Sequence, residues 1–314
     1  MIPSTPSPLP PDRSHIATEG RNLRSRDLHA LTVEGCVDLI NREDLAIHEA
    51  MRRAAPSLAA LISAIEPRFL AGGRLIYVGA GTSGRLGVLD ASEAPPTFQL
   101  EPGRIVGIIA GGDAALRRSS ERLEDDPLGA RPDLEALNLN DRDSVLGITA
   151  GGTTAFAVGA LSLSKSISAG VLTALLTCAH VPPPPHCDHT VLLDTGPEIL
   201  TGSTRMKAGT ATKLALNTIS TTLMIRSGKV YQNLMVDLRA SNHKLRDRAA
   251  RIIQTLTGLT RPAAFDLLDQ AGGSVKAAIA MHRLAIGPDE AVARLNAAGG
   301  KLHILLESTP ETRS

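Results

Sequence analysis

Apolar positions along the chain change their period twice. Between Val33 and Ile65 they recur at spacings of three and four, at Val33, Val37, Ile40, Leu45, Ala46, Leu58, Leu61, Ile62 and Ile65, which is a helical face. Pro56 interrupts this face and predicts at least two helices before the first strand. Short β-branched runs then alternate with helical segments: Leu75–Val78, Ile105–Ile109, Val145–Ile148, Val171–Leu176 and Thr190–Leu193. Near-continuous apolar strands separated by helices predict a parallel sheet covered on both faces, so residues 71–240 read as a doubly wound α/β domain. After Leu245 the strand signal ends, and residues 241–306 read as a small helical bundle of roughly three helices, with Thr260 and Ser274 as N-caps. Residues 1–17 carry five prolines from Pro3 to Pro11 and too little apolar surface to order themselves. They read as a disordered tail, followed by a helical segment over 18–70; a second tail covers 307–314.

Composition narrows the chemistry. With 33 Lys and Arg against 32 Asp and Glu in 314 residues the net charge is +1, which argues against nucleic acid as a partner. No apolar run reaches the length of a membrane span, so no membrane partner is expected. Three cysteines, Cys36, Cys178 and Cys187, are too few for a disulfide framework and fit a reducing cytoplasm. There is no Trp, with two Tyr, four Phe and 28 Gly, so a polar ligand must be held largely without stacking. The Cys178-to-His189 stretch superficially resembles a metal cluster, but its four consecutive prolines make it a stiff loop, and no metal is expected there.

In an open parallel sheet, ligands bind at the carboxyl ends of the strands, so the loops there carry the chemistry. The first such loop, Gly79 to Gly87, opens a helix. Gly81 and Gly84 let the backbone approach an anion, Thr82 and Ser83 offer hydroxyls, and Arg85 offers charge. The loop is neither a Walker sequence nor a good dinucleotide fingerprint. The second loop, with Thr149, Gly152, Thr153 and Thr154, again follows a strand and precedes a helix. Two such loops on one sheet point to a phosphorylated small molecule. A third segment, Gly196 to Lys213, packs Glu198, Ser203, Thr204, Arg205 and Lys207 around the start of a long helix running to about Arg226. Glu93 closes the first-loop helix before Pro95 and Pro96, and Glu124 falls on an expected helix over Ala114–Asp125; pattern alone selects neither.

The string Gly79 to Pro96, the Gly196-to-Lys213 segment and Ser227 to Asp237 together resemble the N-acetylmuramic acid 6-phosphate etherase family. This family belongs to the sugar isomerase (SIS) class, which also includes the vertebrate glucokinase regulatory protein. The likeness runs from Thr18 through the C-terminal helices. It implies an SIS fold with a ubiquitin-associated-like C-terminal bundle, pairing into a homodimer with each site completed by its neighbour. The implied activity is cleavage of the D-lactyl ether of a muramic acid sugar phosphate without cofactor, as part of cell-wall sugar recycling. The implied catalytic pair is Glu93, the acid that assists lactate departure, and Glu124. One departure stands out: the family's second loop usually reads Ser-Gly-Arg-Thr-Pro-Tyr, whereas this chain has Gly151-Gly152-Thr153-Thr154-Ala155-Phe156. That loop keeps open a second reading, a non-catalytic sugar-phosphate-binding regulator. An aldose–ketose sugar-phosphate isomerase is a third, although it has no need of the Gly196-to-Lys213 string.

Overall fold

A computed structural model describes residues 12–118, 123–238 and 243–307. Strands β1 (Leu75–Gly79), β2 (Ile105–Ile109), β3 (Ser144–Thr149), β4 (Leu172–Thr177) and β5 (His189–Leu192) form a parallel sheet in the order β2-β1-β3-β4-β5. Each predicted apolar run supplies one of these strands. The winding reverses at β1, with β2 on one side and β3 on the other, so the loops leaving β1 and β3 diverge and open a crevice between them.

Alternate side chains of the strands feed two cores. On one face Leu75, Tyr77, Leu146 and Ile148 pack under α1 (Val33–Leu70), α2 (Gly81–Phe98) and α5 (Lys207–Arg226). On the other, Ile76, Val78, Val145 and Leu175 meet α3 (Arg131–Ala136) and α4 (Ala155–Ile167). The doubly wound α/β expectation thus holds. The helical lead-in is not a separate layer, because Ile47, Leu58, Leu61 and Ile65 of α1 bury into the same core as the sheet.

Three local expectations are corrected. Pro56 does not split the lead-in, since α1 is a single helix of 38 residues with Pro56 and Pro67 inside it. Pro56 lies on the exposed side, where water can satisfy the carbonyl that loses its donor, and the buried stripe from Ile47 to Phe69 keeps the helix docked through the break. Glu93 likewise does not close its helix: α2 continues through Pro95 and Pro96 to Phe98. The described residues of the Ala114–Asp125 segment do not form the expected α-helix either. Residues Gly112–Leu116 form a short 3-10 helix and Glu124 sits in a turn, while residues 119–122 lie outside the described residues.

Of the expected N-terminal tail, residues 1–11 lie outside the described residues, but Ile16 is 2% exposed and belongs to the packed protein. The expected boundary at 240 also falls outside the described residues, as does 308–314.

The C-terminal unit contains five described helices where roughly three were expected: α6 (His243–Thr257), α7 (Arg261–Gln270), α8 (Val275–Leu284), α9 (Pro288–Ala297) and α10 (Leu302–Glu307). They share one apolar core with a hairpin of β6 (Val230–Tyr231) and β7 (Leu234–Met235). Asp237 ties hairpin to bundle, accepting from Lys229 Nζ at 2.7 Å and lying 2.9 Å from Lys276 Nζ. Burial works against its ionisation, yet the two ammonium groups outweigh it and hold the carboxyl below its usual range. Thr260 and Ser274 occupy the expected N-cap positions, with Ser274 accepting from the Ala277 amide. Among the described residues no helix is long and apolar enough to cross a membrane.

Candidate functional site

The first loop turns from β1 into α2 within a few residues, and the fold there requires glycine. A Cβ on Gly84 would stand 2.6 Å from the Gly79 carbonyl oxygen, so only glycine lets the first turn of α2 rest on the strand end. Ala80, the N-cap, offers no side-chain acceptor, which leaves the first amides of α2 for a ligand. In the second loop, Gly152 has φ +74, and a Cβ there would meet Val181 Cγ2 at 2.5 Å. Thr149 and Thr154 hydroxyls bond each other at 2.8 Å, fixing the loop between β3 and α4.

Between the two loops lies a cavity of about 210 Å³ at the switch point. Gly81, Thr82 and Ser83 line it from the first loop, Thr153 and Thr154 from the second, and Thr204 from the third segment. Glu124 also lines it, held there by its main chain, whose carbonyl accepts from the Phe156 amide at 3.0 Å. Backbone amides, five hydroxyl residues and Glu124, with Glu19, Asp125 and Arg13 also in the lining, thus converge on one space, an arrangement suited to an anionic ligand that exchanges a proton.

Other expected site residues serve the framework. Gly84, Thr149 and Gly152 shape the loops without lining the cavity. Arg85 turns away, its Nε donating to the Ala115 carbonyl at 3.0 Å. Glu198 is fully buried and caps α5, accepting from the Lys207 and Ala208 amides at 3.0 and 2.9 Å. Burial pushes its carboxyl above the usual value, and those two amides work against the push. Lys207, expected as a ligand cation, is 2% exposed and donates to Glu43 at 3.0 Å. Asn22 and Arg24 complete that network by donating to the same carboxylate. Ser203 and Arg205 lie outside the cavity lining, with Arg205 exposed.

Glu93 does not meet Glu124 within the chain. It lies twelve residues along α2 from Gly81, about 18 Å at the helical rise. Its carboxylate is 60% exposed and accepts from Lys213 Nζ at 3.2 Å. Lys213 also approaches the buried Asp90 at 3.6 Å, whose carboxylate accepts from Tyr77 Oη at 3.0 Å and Ser220 Oγ at 3.3 Å. One of the chain's two tyrosines thus helps to order the carboxylate behind Glu93.

The structure adds cavity residues that pattern did not single out: Arg13, Ile16, Glu19 and Asp125. The composition around Arg13 reads as tail, and only Ile16, an apolar residue in a polar stretch, signals that the chain returns to the core there. Among the described residues no three His, Cys, Asp or Glu side chains gather as a metal site. Cys178 is buried, its thiol pushed up to about 12 by desolvation.

Comparisons with known proteins agree with this frame. The profile of the glucokinase regulatory protein N-terminal SIS domain matches residues 57–165, and that of the C-terminal lid domain of the same protein matches 232–281. N-acetylmuramic acid 6-phosphate etherase of Synechococcus sp. strain CC9605 is 51% identical over 285 residues, covering 90% of each chain. The protein of that name from Gloeobacter violaceus is 49% identical over 298 residues, covering 95% of this chain and 97% of its own. That from Caldanaerobacter subterraneus subsp. tengcongensis is 50% identical over 267 residues, covering 85% and 87%. At this identity over nearly the full length of both partners, the chain belongs to the N-acetylmuramic acid 6-phosphate etherase family.

Proposed function

We propose that the chain cleaves the D-lactyl ether of N-acetylmuramic acid 6-phosphate with water, releasing D-lactate and N-acetylglucosamine 6-phosphate, in the recycling of cell-wall sugar. The observation that carries this reading is Glu124 sharing one cavity with the amide-rich start of α2 and the hydroxyls of the second loop. Amides and hydroxyls suit the phosphate, and the carboxylate suits a proton at the carbon skeleton beside it.

In the open-chain sugar the C1 aldehyde acidifies the C2 proton. Glu124 takes that proton, the C3–O bond breaks, and the lactate oxygen takes a proton from Glu93, leaving a C2–C3 double bond conjugated with the aldehyde. Glu93, now a carboxylate, removes a proton from water as its oxygen bonds to C3, and Glu124 returns a proton to C2 before the ring closes. Each carboxyl is used once as acid and once as base, so atoms balance without an outside reactant.

Glu93 lies too far along α2 to act with Glu124 of its own chain, and the cavity falls below the roughly 300–1,000 Å³ of ordinary small-molecule pockets. Both features support a homodimer in which Glu93 of a second copy completes the site. The domain division and the cytoplasmic setting are part of the same proposal, the latter resting on three cysteines in 314 residues. The regulator reading has only the altered second loop in its favour, since the regulatory-protein profiles match parts of a chain whose full-length relatives carry the etherase name. The test is D-lactate release from N-acetylmuramic acid 6-phosphate by purified protein, compared with Glu124→Gln. No lactate above that control overturns the lyase reading.

A further inference from the structure

A phosphate dianion in a small cavity calls for a positive charge, and the cations expected to supply it are committed elsewhere or lie outside the lining. Arg85 is bonded to the Ala115 carbonyl, Lys207 is paired with Glu43, and Arg205 lies outside the cavity. The lining instead carries three carboxylates, Glu19, Glu124 and Asp125, against one cation among the described residues, Arg13. Among the described residues Arg13 makes no side-chain hydrogen bond or ion pair, although those carboxylates are within the same space.

Its position is set by the fold. The Ile16 amide donates to the Arg13 carbonyl at 2.9 Å, closing a turn whose anchor, Ile16, is 2% exposed. Ile16 and Thr18 lie beside the second loop: a Cβ built on Gly151 would stand at ordinary van der Waals distance from both, 4.0 Å from Ile16 Cγ2 and 3.8 Å from Thr18 Oγ1. Thr18 is fully buried, and its hydroxyl has no hydrogen-bond partner, an uncommon state for a buried polar atom.

The geometry points to Arg13 as the phosphate-binding cation of this site, delivered by the N-terminal turn rather than by either glycine loop. A guanidinium can engage two phosphate oxygens at once, alongside the α2 amides that line the same cavity. It also offsets the three carboxylates, which otherwise oppose entry of a dianion. The inference rests on the sugar-phosphate reading of the cavity above.

The test compares wild type, Arg13→Gln and Arg13→Lys, with calorimetric binding of N-acetylglucosamine 6-phosphate and of unphosphorylated N-acetylglucosamine, beside the KM and kcat of lactate release. Arg13→Gln is expected to weaken the phosphorylated sugar about 10- to 100-fold and raise KM in parallel, with kcat changed far less and the unphosphorylated sugar unaffected. Arg13→Lys should recover part of the loss, which a purely structural role of the side chain would not produce. Because Arg13 is exposed, the variants should fold, and an unchanged melting temperature checks this. Phosphorylated-sugar affinity within about twofold of wild type in Arg13→Gln, or no binding by wild type, overturns the inference. If wild type binds and Arg13→Gln weakens that binding but neither releases lactate, Arg13 stands and the lyase reading falls.

Discussion

Lys207 shows how far a residue's partners can lie from its motif. It sits in a segment dense with hydroxyls and cations, yet its ammonium pairs with Glu43, 164 positions earlier. Arg24 foremost, with Lys207 and Asn22, holds the Glu43 carboxyl at about 2 against an ordinary 4.5. Between those values the folded chain binds fewer protons than the unfolded one, so stability rises with pH across the window and is lost as pH falls from about 4.5 to about 2. Glu43→Gln is expected to flatten that acid limb and, at neutral pH, to cost about 3–5 kcal/mol by stranding a buried ammonium. Denaturant midpoints across the pH range measure both; an undiminished acid slope in the variant counts against this account. Gly152 is the opposite case, legible because its role is local. Gly152→Ala imposes a left-handed strain of about 1–2 kcal/mol and a clash with Val181, so a lowered melting temperature and weaker sugar-phosphate binding are expected together.

Strands and helices were legible to different degrees. The five strands of the main sheet follow apolar runs, because a strand buried on both faces needs apolar side chains at nearly every position. Helix ends were less legible, since proline penalises a helix locally while burial along its length acts at a distance. In α1 the stripe from Ile47 to Phe69 outweighs Pro56. Pro56→Ala should restore the missing amide bond and stabilise the protein by about 1–3 kcal/mol, less what the unfolded chain gains in freedom. A melting temperature at or below that of wild type would mean that the break serves packing. The β6–β7 hairpin left no periodic trace because its strands are two residues each. Its place is set by the Lys229–Asp237–Lys276 ion pairs, which span the hairpin and α8.

For the whole molecule, the separation of Glu93 from Glu124 makes assembly testable. If each site takes Glu93 from one copy and Glu124 from the other, mixing the inactive Glu93→Gln and Glu124→Gln proteins produces heterodimers with one intact site. Random exchange should restore about a quarter of wild-type turnover, whereas sites contained within one chain would show no recovery. The sequence by itself determined the strands and the glycine loops at β1 and β3, because each is written in neighbouring residues; the two carboxylates it marks only through family likeness. Tertiary structure alone decided which cations face the cavity. Arg85 and Lys207 are drawn into framework bonds, while Arg13 reaches the site from a segment whose composition reads as tail. The physical reason is that charge pairing and burial depend on separation in space: a single buried anchor, Ile16, brings an arginine to loops that lie more than sixty residues further along the chain.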